Sequence, residues 1–527
     1  MFNHRVEQLQ WLRQSLNGRV VEPVENGLAV AHRQRRICKY RDFPIFDLPP
    51  ELLTMIFRTT FWGSENVVKA NRMRMHLTWV CQRFRQIALA DPQLWGTLWF
   101  CDQHPWTRSL AFLERAGGGV LDIRLDDRQE QKHQEPMTIP RLDMILDKLL
   151  PKISQIRMLV LHFNDLNIMH HFFRRFSVAG PPDLLELVDI DANVMYARDP
   201  ASPLVAFSRF PTPKLRKLII TGFALDWETV QYKTLHTMDI RHFTLPSFMS
   251  MSRWSELLRP AYHIYKLSFV GAMPNPSSCL PLSLPNLREL FLARIPTTGV
   301  QELLHFLDTR RVMLLTLGGL HGTLQGFPHF FYSLKGRFPE ARSVSVYSIP
   351  YTPDRQFRDQ LMRGVVCWFE SMPLVNTLRL ERVAYDFFKT LSTDPSSWWP
   401  ADVVSAYFKP QRDAGVPEDQ LVRPLLLPDL ESVYIEFPEV EWQELLDTLL
   451  ARKKAGRPVN TLYSTDVKDE IKAMMKAGLK VGGDYHTAPD RLMATREELR
   501  VRGRMMQLIP WVRGEVGEGL KEQHIGV

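Results

Sequence analysis

The chain has 527 residues, of which 45% are hydrophobic, and its 66 lysines and arginines exceed its 58 acidic residues to give a net charge of +8. This length and apolar fraction exclude a disordered chain and predict an ordered protein with more than one domain or one elongated array. The basic residues are scattered rather than clustered, so the charge does not predict a nucleic-acid partner.

Five cysteines are spread along the sequence without CxxC pairing or regular spacing: Cys38, Cys81, Cys101, Cys279 and Cys367. This pattern predicts neither a zinc ribbon nor a disulfide framework, and it is typical of a reducing compartment. The first residues, MFNHRVEQLQWLRQSL, lack the apolar core of a secretory signal. The uncharged run at 267–287 contains several prolines, which make it a poor membrane helix. We therefore expect a soluble protein of the cytoplasm or nucleus, with no membrane partner.

Residues 1–41 are predicted to form an amphipathic helix followed by a linker. Val6, Leu9, Leu12 and Leu16 recur at intervals of three or four, which is the spacing of one helix face. The basic run HRQRR at 32–36 belongs to the linker. We interpret this run as solvated, and the alternative is a nuclear address or a phosphate contact.

Residues 42–106 are predicted to form a small helical domain that begins with the motif LPPELLTMIF. Pro49 and Pro50 suit the first turn of a helix, where a missing N–H costs nothing, and Glu51 lies where the helix dipole favours negative charge. The apolar residues that follow share one helix face: Leu52, Leu53, Ile56 and Phe57. A polar connection is predicted next, from Gly63 to Arg74.

A second helix is predicted after this connection from a further periodic set of residues: Leu77, Val80, Cys81, Phe84, Ile87 and Ala88. Pro92 ends this helix. The segment PQLWGTLWF then carries more apolar surface than so short a piece can bury alone.

Beyond residue 110 the motif apolar-x-x-apolar-x-apolar recurs, at intervals of about 20 to 36 residues with one longer gap. It begins at Val120, Ile156, Leu185, Leu215, Leu235, Ile264, Leu287, Val312, Ala341, Val375, Leu430 and Val459. Helical stretches such as VQELLHFLDTRR (300–311) separate the copies. A repeated strand and helix predict a curved α/β solenoid over residues 107–510, followed by a C-terminal tail at 511–527. An ordinary doubly wound sheet is the alternative.

Three segments of the chain, in order, resemble the parts of an F-box. LPPELLTMIF resembles the first helix of an F-box. LTWVCQRFRQIA (77–88) resembles its second motif, with Phe84 in place of the usual tryptophan, and DPQLWGTL (91–98) resembles its closing segment. The chain as a whole resembles fungal F-box-like proteins with leucine-rich-repeat-like C-terminal regions. This resemblance implies an α/β fold in which a small all-helical F-box unit precedes a curved, irregular leucine-rich-repeat-like solenoid.

An F-box docks on the Skp-family adaptor of a cullin-based ubiquitin ligase, so the resemblance implies the same partner here. The adaptor-binding residues that it implies are Leu48, Pro49, Leu52, Leu53, Ile56, Phe57, Val80, Cys81, Phe84 and Trp95. Each Leu or Phe buried at such an interface contributes about 1.5–3 kcal/mol before association costs. The alternative is that these residues form only the core of a small helical bundle.

Alternation along the predicted strands turns some residues toward the open face of the sheet, which is the usual binding surface of a solenoid. These substrate-binding candidates are Lys217, Asp239, Arg241, Lys266, Phe291, Tyr347, Arg379, Glu381, Tyr434 and Glu436. Aromatic residues and arginines are enriched at binding hot spots. For any single member, a merely solvated side chain is the alternative.

A search for enzymatic motifs finds no Walker loop, GxSxG elbow, HExxH motif or Gly-rich dinucleotide turn. The remaining polar clusters are adjacent histidines beside two arginines and two pairs of acids: His170, His171, Arg174, Arg175, Asp126, Asp127, Asp189 and Asp191. Adjacent histidines point to different helix faces, so we expect structural or solvated roles for them. The acids lack metal-ligand spacing, so we expect strand-end and exposed-face charges.

The sequence therefore predicts a non-catalytic substrate-recognition subunit of an SCF-type (Skp-cullin-F-box) ubiquitin ligase, without cofactor or metal, whose partners are the adaptor, a cullin reached through it and an unknown protein substrate. The first alternative is a repeat scaffold or interaction protein whose F-box-like unit does not join a ligase. The second, nucleic-acid binding driven by the net charge, ranks last because the sequence shows no basic helix or aromatic ladder, so we expect no nucleic-acid partner.

Overall fold

The structure is a computed structural model. It describes residues 30, 44–62, 67–100, 102, 104–127, 136–192, 204–242, 251–271, 281–349, 355–383, 386–392, 396, 401–418, 421, 424–436, 448–453, 455–459 and 461–464. The predicted N-terminal amphipathic helix and the C-terminal tail lie outside these residues. The described residues divide into two compact units, one that ends at Trp95 and one that begins at Gly96.

The described part of the first unit is helical. After a 3-10 turn at Pro44–Asp47, its helices are α1 (Pro50–Trp62), α2 (Val67–Val80), α3 (Gln82–Ala90) and α4 (Pro92–Trp95). The predicted helix start is confirmed, because α1 begins at Pro50 and the Leu53 N–H donates a 3.2 Å hydrogen bond to the Pro49 carbonyl. The prolines lack the N–H groups that the first turn leaves unbonded, so they fix where α1 starts.

The polar connection predicted from Gly63 to Arg74 is wrong from Val67 onward, where α2 has already begun. Arg74 shows the reason. Its buried guanidinium donates a 2.9 Å hydrogen bond to the Leu94 carbonyl and lies 4.6 Å from the centre of the Phe61 ring. A polar side chain that is bonded inside the unit has the sequence signature of a loop residue but the environment of a core residue.

The predicted second helix is divided at Cys81 into α2 and α3. Cys81 has an extended backbone (φ −161°, ψ 170°), and its Sγ accepts a 3.4 Å hydrogen bond from the Phe84 N–H as the N-cap of α3. The apolar periodicity continues across this break, and the buried residues Leu77 and Phe84 lie on either side of it. Periodicity alone therefore did not reveal the division.

Aromatic side chains form the core of the first unit. The rings of Phe57 and Phe84 meet edge to face with centroids 4.9 Å apart, which is a favoured aromatic geometry. The buried Trp95 indole donates a 2.8 Å hydrogen bond to the Ala88 carbonyl, so its polar atom is satisfied. These contacts join α1, α3 and α4 into one small core.

The segment PQLWGTLWF is shared between the two units. Leu94 and Trp95 are buried in the first, whereas Leu98 and Phe100 are buried in the second. From the sequence, the boundary is expected after residue 106. In the structure residues 97–99 already form a strand of the second unit, which is how the apolar excess of this short segment is buried.

The second unit is a mixed α/β structure. Its strands are β1 (Thr97–Trp99), β2 (Leu121–Asp126), β3 (Ile156–Phe163), β4 (Leu187–Ala192), β5 (Val205–Ala206), β6 (Lys217–Thr221), β7 (Leu225–Asp226), β8 (Thr237–Arg241), β9 (Lys266–Val270), β10 (Glu289–Ala293), β11 (Leu314–Gly318), β12 (Ser343–Tyr347), β13 (Thr377–Glu381), β14 (Ser432–Glu436) and β15 (Thr461–Ser464). Its helices are α5 (Thr107–Arg115), α6 (Ile139–Leu149), α7 (Leu166–Phe176), α8 (Met251–Leu258), α9 (Thr297–Phe306), α10 (Gly326–Ser333), α11 (Arg355–Glu370), α12 (Asp386–Lys389) and α13 (Ala401–Asp413).

A 13-stranded sheet runs through this unit in the order β1-β2-β3-β4-β6-β8-β9-β10-β11-β12-β13-β14-β15. All neighbouring strands are parallel, and β5 pairs with β7 in a separate two-stranded sheet. Each predicted apolar motif corresponds to a strand that begins within two residues of the motif's start. The α/β class predicted from the sequence, with a large parallel sheet, is therefore confirmed.

The apolar motif explains which face of the sheet is covered. In β10 the alternate residues Leu290 and Leu292 are buried, whereas Phe291 between them is half-buried. Helices cover the face that carries the buried residues, as where the rings of Trp254 in α8 and Phe269 in β9 meet with centroids 5.6 Å apart. The opposite face carries the polar and aromatic side chains.

Candidate interaction surfaces

The ten residues predicted to bind an adaptor fall into two groups in the first unit. Four of them are core residues, because their side chains are buried: Leu53, Phe57, Phe84 and Trp95. The others are exposed or half-buried: Leu48, Pro49, Leu52, Ile56, Val80 and Cys81. The helical period divides the motif LPPELLTMIF between these roles, since residues three or four apart share a face and neighbours do not.

The exposed face of α1 is more apolar than the predicted residues alone. Met55 and Ile56 lie three and four residues after Leu52, and all three are exposed. At the end of α2, Trp79 and Val80 are exposed as well. We call these five residues the exposed apolar set.

Arg83 links the entrance of α1 to the start of α3. Its Nη2 donates a 2.6 Å hydrogen bond to the Leu48 carbonyl. Val80 and Cys81 directly precede α3, so this bond holds the residues in front of α1 close to the junction of α2 and α3. Leu48, Pro49 and Val80 are therefore brought to one region of the first unit.

Met55 and Trp79 were missed in the sequence. Met55 lies three residues after Leu52, so the helical period that identified Leu52 and Ile56 also predicts Met55 on the same face. Trp79 gave no such signal, because a tryptophan is ordinarily expected to be buried. It is 65% exposed, and its ring lies 5.7 Å from that of His76.

Over β2, β3 and β4, the face of the sheet opposite the helices carries a network of buried polar and charged side chains. Arg124 bonds Asp126 at 2.5 Å, and the Nδ1 of His162 lies 3.2 Å from the same carboxylate. The Nε2 of His162 lies 3.7 Å from Asp189. Adjacent parallel strands are about 4.8 Å apart, so polar side chains on neighbouring strands come within contact distance of one another.

Several acids predicted to be exposed are buried in this part of the sheet: Asp126, Asp189, Asp191 and Asp239. Asp239 is bonded by Arg241 through Nε at 2.8 Å and through Nη2, so the expected exposure of this pair is corrected to a buried carboxylate beside a half-buried arginine. Lys217 is also half-buried. The substrate-binding prediction is therefore weakest at this end of the sheet.

Asp122 shows the electrostatic effect of this burial. Desolvation raises the pKa of Asp122 above its ordinary value, and the Arg157 guanidinium, which bonds both carboxylate oxygens at 3.0 and 2.7 Å, offsets part of that rise. The pair joins β2 to β3 on the polar face.

From β9 to β14 the open face carries half-buried side chains and fewer charges. The predicted residues in this part are Lys266, Phe291, Tyr347, Arg379, Glu381 and Tyr434. Arg379 pairs with Glu381 two residues along β13, and Lys266 lies 2.9 Å from Glu289. The side chain of Glu436 lies outside the described residues. Tyrosine, serine and arginine side chains of this kind are typical of adaptable protein-binding surfaces.

Gly318 determines how Tyr347 lies on this face. The parallel register puts Gly318 of β11 between Ala293 of β10 and Tyr347 of β12. A Cβ atom on Gly318 would overlap the Tyr347 ring, so that ring occupies the space that a side chain would fill. The ring leans across β11 toward Phe291 on β10, with a centroid distance of 6.3 Å. The absence of a side chain at Gly318 thus allows Tyr347 to approach Phe291, and both are predicted hot-spot residues.

His171, predicted to be structural or solvated, belongs to an ion-pair cluster between α6 and α7. Its Nε2 lies 2.8 Å from Asp143, and Arg175 bonds Asp143 at 2.6 Å and Asp147 at 2.8 Å. Partial burial opposes ionisation of Asp143, but the hydrogen bonds from His171 and Arg175 outweigh it and hold the pKa of that carboxyl below its ordinary value. The neighbouring His170 points elsewhere and packs on the ring of Phe223.

Within the described ranges, no three His, Cys, Asp or Glu side chains are grouped so that they could hold a metal ion. None of the helices that the structure describes combines the length and apolarity needed to cross a membrane. Comparison with protein-family models gives no match, and comparison with curated proteins gives no significant match either. A function for this chain therefore has to be inferred from its own residues.

Proposed function

We propose that the chain is a non-catalytic substrate-recognition subunit of an SCF-type ubiquitin ligase. The observation that carries this proposal is the division of the helix LPPELLTMIF. Leu53 and Phe57 are buried in the first unit, while Leu52 and Ile56 are exposed on the other side of the same helix. A folded unit that keeps its own core and still presents apolar side chains has a surface suited to a partner.

The exposed apolar set has the chemistry of a docking site for a Skp-family adaptor. Trp79 is the largest member, and tryptophan is enriched among residues that dominate binding energy. A buried aromatic side chain removes about 150–250 Å² from water. Since Trp79 is 65% exposed, docking can bury about 100–160 Å² of it, or about 2.5–4 kcal/mol before association costs.

The second unit would hold the target, and we propose that it is a leucine-rich-repeat-like solenoid. This interpretation is supported by strands that pair in chain order without reversal and by the match of each strand to one apolar motif. The part of the open face between β9 and β14 is its proposed target-binding surface, with Phe291, Tyr347, Arg379 and Tyr434 as the residues expected to contribute most.

In this mechanism the chain acts by bridging. The first unit binds the adaptor, and through it a cullin, while the second unit binds a target protein. Linking the two interactions in one chain raises the effective concentration of the target near the ligase. Ubiquitin transfer then follows from proximity and orientation, and no side chain of this chain takes part in bond making.

The second candidate function is a repeat scaffold that does not join a ligase. It is favoured by the core role of Leu53, Phe57, Phe84 and Trp95, because a small helical bundle needs the same apolar motif for its own stability. The two functions differ in what the exposed apolar set does. In the scaffold it binds no adaptor.

Co-purification with a Skp-family adaptor distinguishes the two. We expect the full chain to retain the adaptor and Leu52→Asp combined with Trp79→Asp to lose it, since two charges would be buried without partners. Val178→Asp is the matched control, because Val178 is an exposed apolar residue of the second unit. Failure of the unaltered chain to bind, or equal retention by the double variant, would contradict the ligase function.

A further inference from the structure

A row of residues lies across the sheet where the strands begin. Backbone hydrogen bonds of 2.7–2.9 Å link the N–H of each member to the carbonyl of the one before it. In order the row consists of Arg216, His236, Tyr265, Arg288, Met313 and Arg342. We call these six residues the entrance row. Neighbouring strands are about 4.8 Å apart, so the row extends over about 24 Å.

Basic side chains stand at intervals along the entrance row. Arg216 and Arg342 are exposed at its two ends, and Arg288 between them is half-buried. The row contains no acidic residue, and the acids Glu186 and Glu431 occur in the same ladder only beyond it. The arginines are therefore two or three strands apart along the row, which is a spacing of about 10–14 Å between positive charges.

Aromatic rings fill the interval between Arg216 and Arg288. His236 is stacked on His263 of the adjoining loop, with ring planes 6° apart and centroids separated by 5.7 Å. Tyr262 lies 4.3 Å from His263, and both Tyr262 and Tyr265 are more than two-fifths exposed. This cluster presents flat ring surfaces to solvent between two arginines.

The loop residues that adjoin the row are more basic than acidic. Lys214 and Arg311 are exposed on the basic side, and Glu340 is exposed on the acidic side. Two further acids are already neutralised by neighbours. Asp308 is bonded by Arg310 at 2.8 Å, and Glu289 lies 2.9 Å from Lys266.

We propose that the entrance row, together with His263, binds single-stranded nucleic acid. The arginines would contact backbone phosphates at intervals along one strand, and unpaired bases would stack on the His236, His263 and Tyr265 rings. This combination of a positive track with aromatic platforms is the general design of sequence-tolerant single-strand binding. The site lies in the second unit and does not depend on the adaptor-binding role proposed for the first.

The rings favour a single strand over the other polyanions that a basic surface attracts. An acidic peptide would satisfy the arginines, but it offers no flat faces for Tyr265 and His263 to stack on. A duplex keeps its bases stacked inside and is read by an element that enters a groove. The entrance row is a single line of side chains along strand ends, and it fits an extended strand.

Fluorescence anisotropy of a labelled oligouridylate of about 15 nucleotides, titrated with the full chain at about 0.1 M salt, tests the proposal. We expect binding that weakens about tenfold or more in Arg288→Glu combined with Arg342→Glu. The slope of log affinity against log salt should fall by about 0.7 for each phosphate contact removed. Tyr265→Ala, which leaves the charge unchanged, should weaken binding by about 5- to 150-fold.

The single variant Arg288→Glu is also measured, and its matched control is Lys148→Glu, which makes the same charge change at one exposed residue on α6, away from the entrance row. Thermal unfolding of each variant keeps a folding defect separate from a binding defect. No binding of oligouridylate, an effect of Lys148→Glu as large as that of Arg288→Glu, or no loss in Tyr265→Ala would overturn the proposal. Tighter binding of a polyglutamate peptide or of a duplex of equal length would also overturn it.

Discussion

Leu52 and Leu53 are neighbours on α1 with opposite surroundings, so truncating each to alanine should separate docking from folding. Leu53 is 0% exposed, whereas Leu52 is 45% exposed. Leu53→Ala leaves a cavity in the core of the first unit and should cost about 2–5 kcal/mol of unfolding free energy. Leu52→Ala removes no buried contact of this size and should change stability by less than about 0.5 kcal/mol.

Adaptor binding should respond in the opposite way. Full burial of a leucine side chain is worth about 1.5–3 kcal/mol, so covering the exposed half of Leu52 contributes about 0.7–1.4 kcal/mol. Leu52→Ala should therefore raise the Kd for a purified Skp-family adaptor by about 3- to 10-fold. Leu53→Ala should leave the Kd of the folded fraction within about twofold, because that side chain does not reach the surface.

Urea unfolding followed by circular dichroism measures the first effect, and calorimetric titration with the adaptor measures the second. The two leucines have the same chemistry and adjacent positions, so each variant is the control for the other. The reasoning is refuted if both substitutions lower stability equally, or if Leu53→Ala weakens adaptor binding of the folded protein more than Leu52→Ala does.

Three further predictions concern other contacts. Gly318→Ala should displace the Tyr347 ring at a cost of about 1–3 kcal/mol, and the extent of Tyr347 nitration, measured by mass spectrometry, should increase. Because the folded pKa of Asp143 is depressed, its ionised form stabilises the fold above about pH 4, and this contribution is lost as pH falls through the folded pKa. In urea unfolding, Asp143→Asn should lower the free energy of unfolding at pH 7 by under about 1 kcal/mol, and by much less in acid. Arg58→Ala removes the 2.8 and 2.9 Å bonds to the buried Asp91 carboxylate and should cost about 1–3 kcal/mol in urea unfolding.

Gly118→Ala introduces a Cβ into open space, so nitration of Tyr347 should not change in it; unchanged nitration in Gly318→Ala would disprove the displacement. A pH-independent effect of Asp143→Asn would show that ionisation of that carboxyl does not matter. Arg85→Ala alters an exposed arginine of α3, and Arg58→Ala must cost more than it does.

The apolar motif made the sheet predictable. A run such as LRELFL places Leu287, Leu290 and Leu292 at the first, fourth and sixth positions, and the strand β10 forms where the last two must face a core. The same reasoning fails for Arg74, because a bonded arginine in the core and an arginine in a loop have the same sequence signature. It also fails at Cys81, because the apolar period is the same on both sides of the helix break.

The sequence by itself determined where helix α1 starts, which strands form at the apolar motifs and which apolar residues of those strands face the helices. These properties follow from local chemistry, namely the missing N–H groups of Pro49 and Pro50 and the apolar alternation. Only the tertiary structure decided that Leu53 is buried while Leu52 is exposed, that Asp239 pairs inside a network, and that Arg216 and Arg342 share one row. Burial and pairing depend on side chains contributed by distant segments, and no local pattern records which segments will meet.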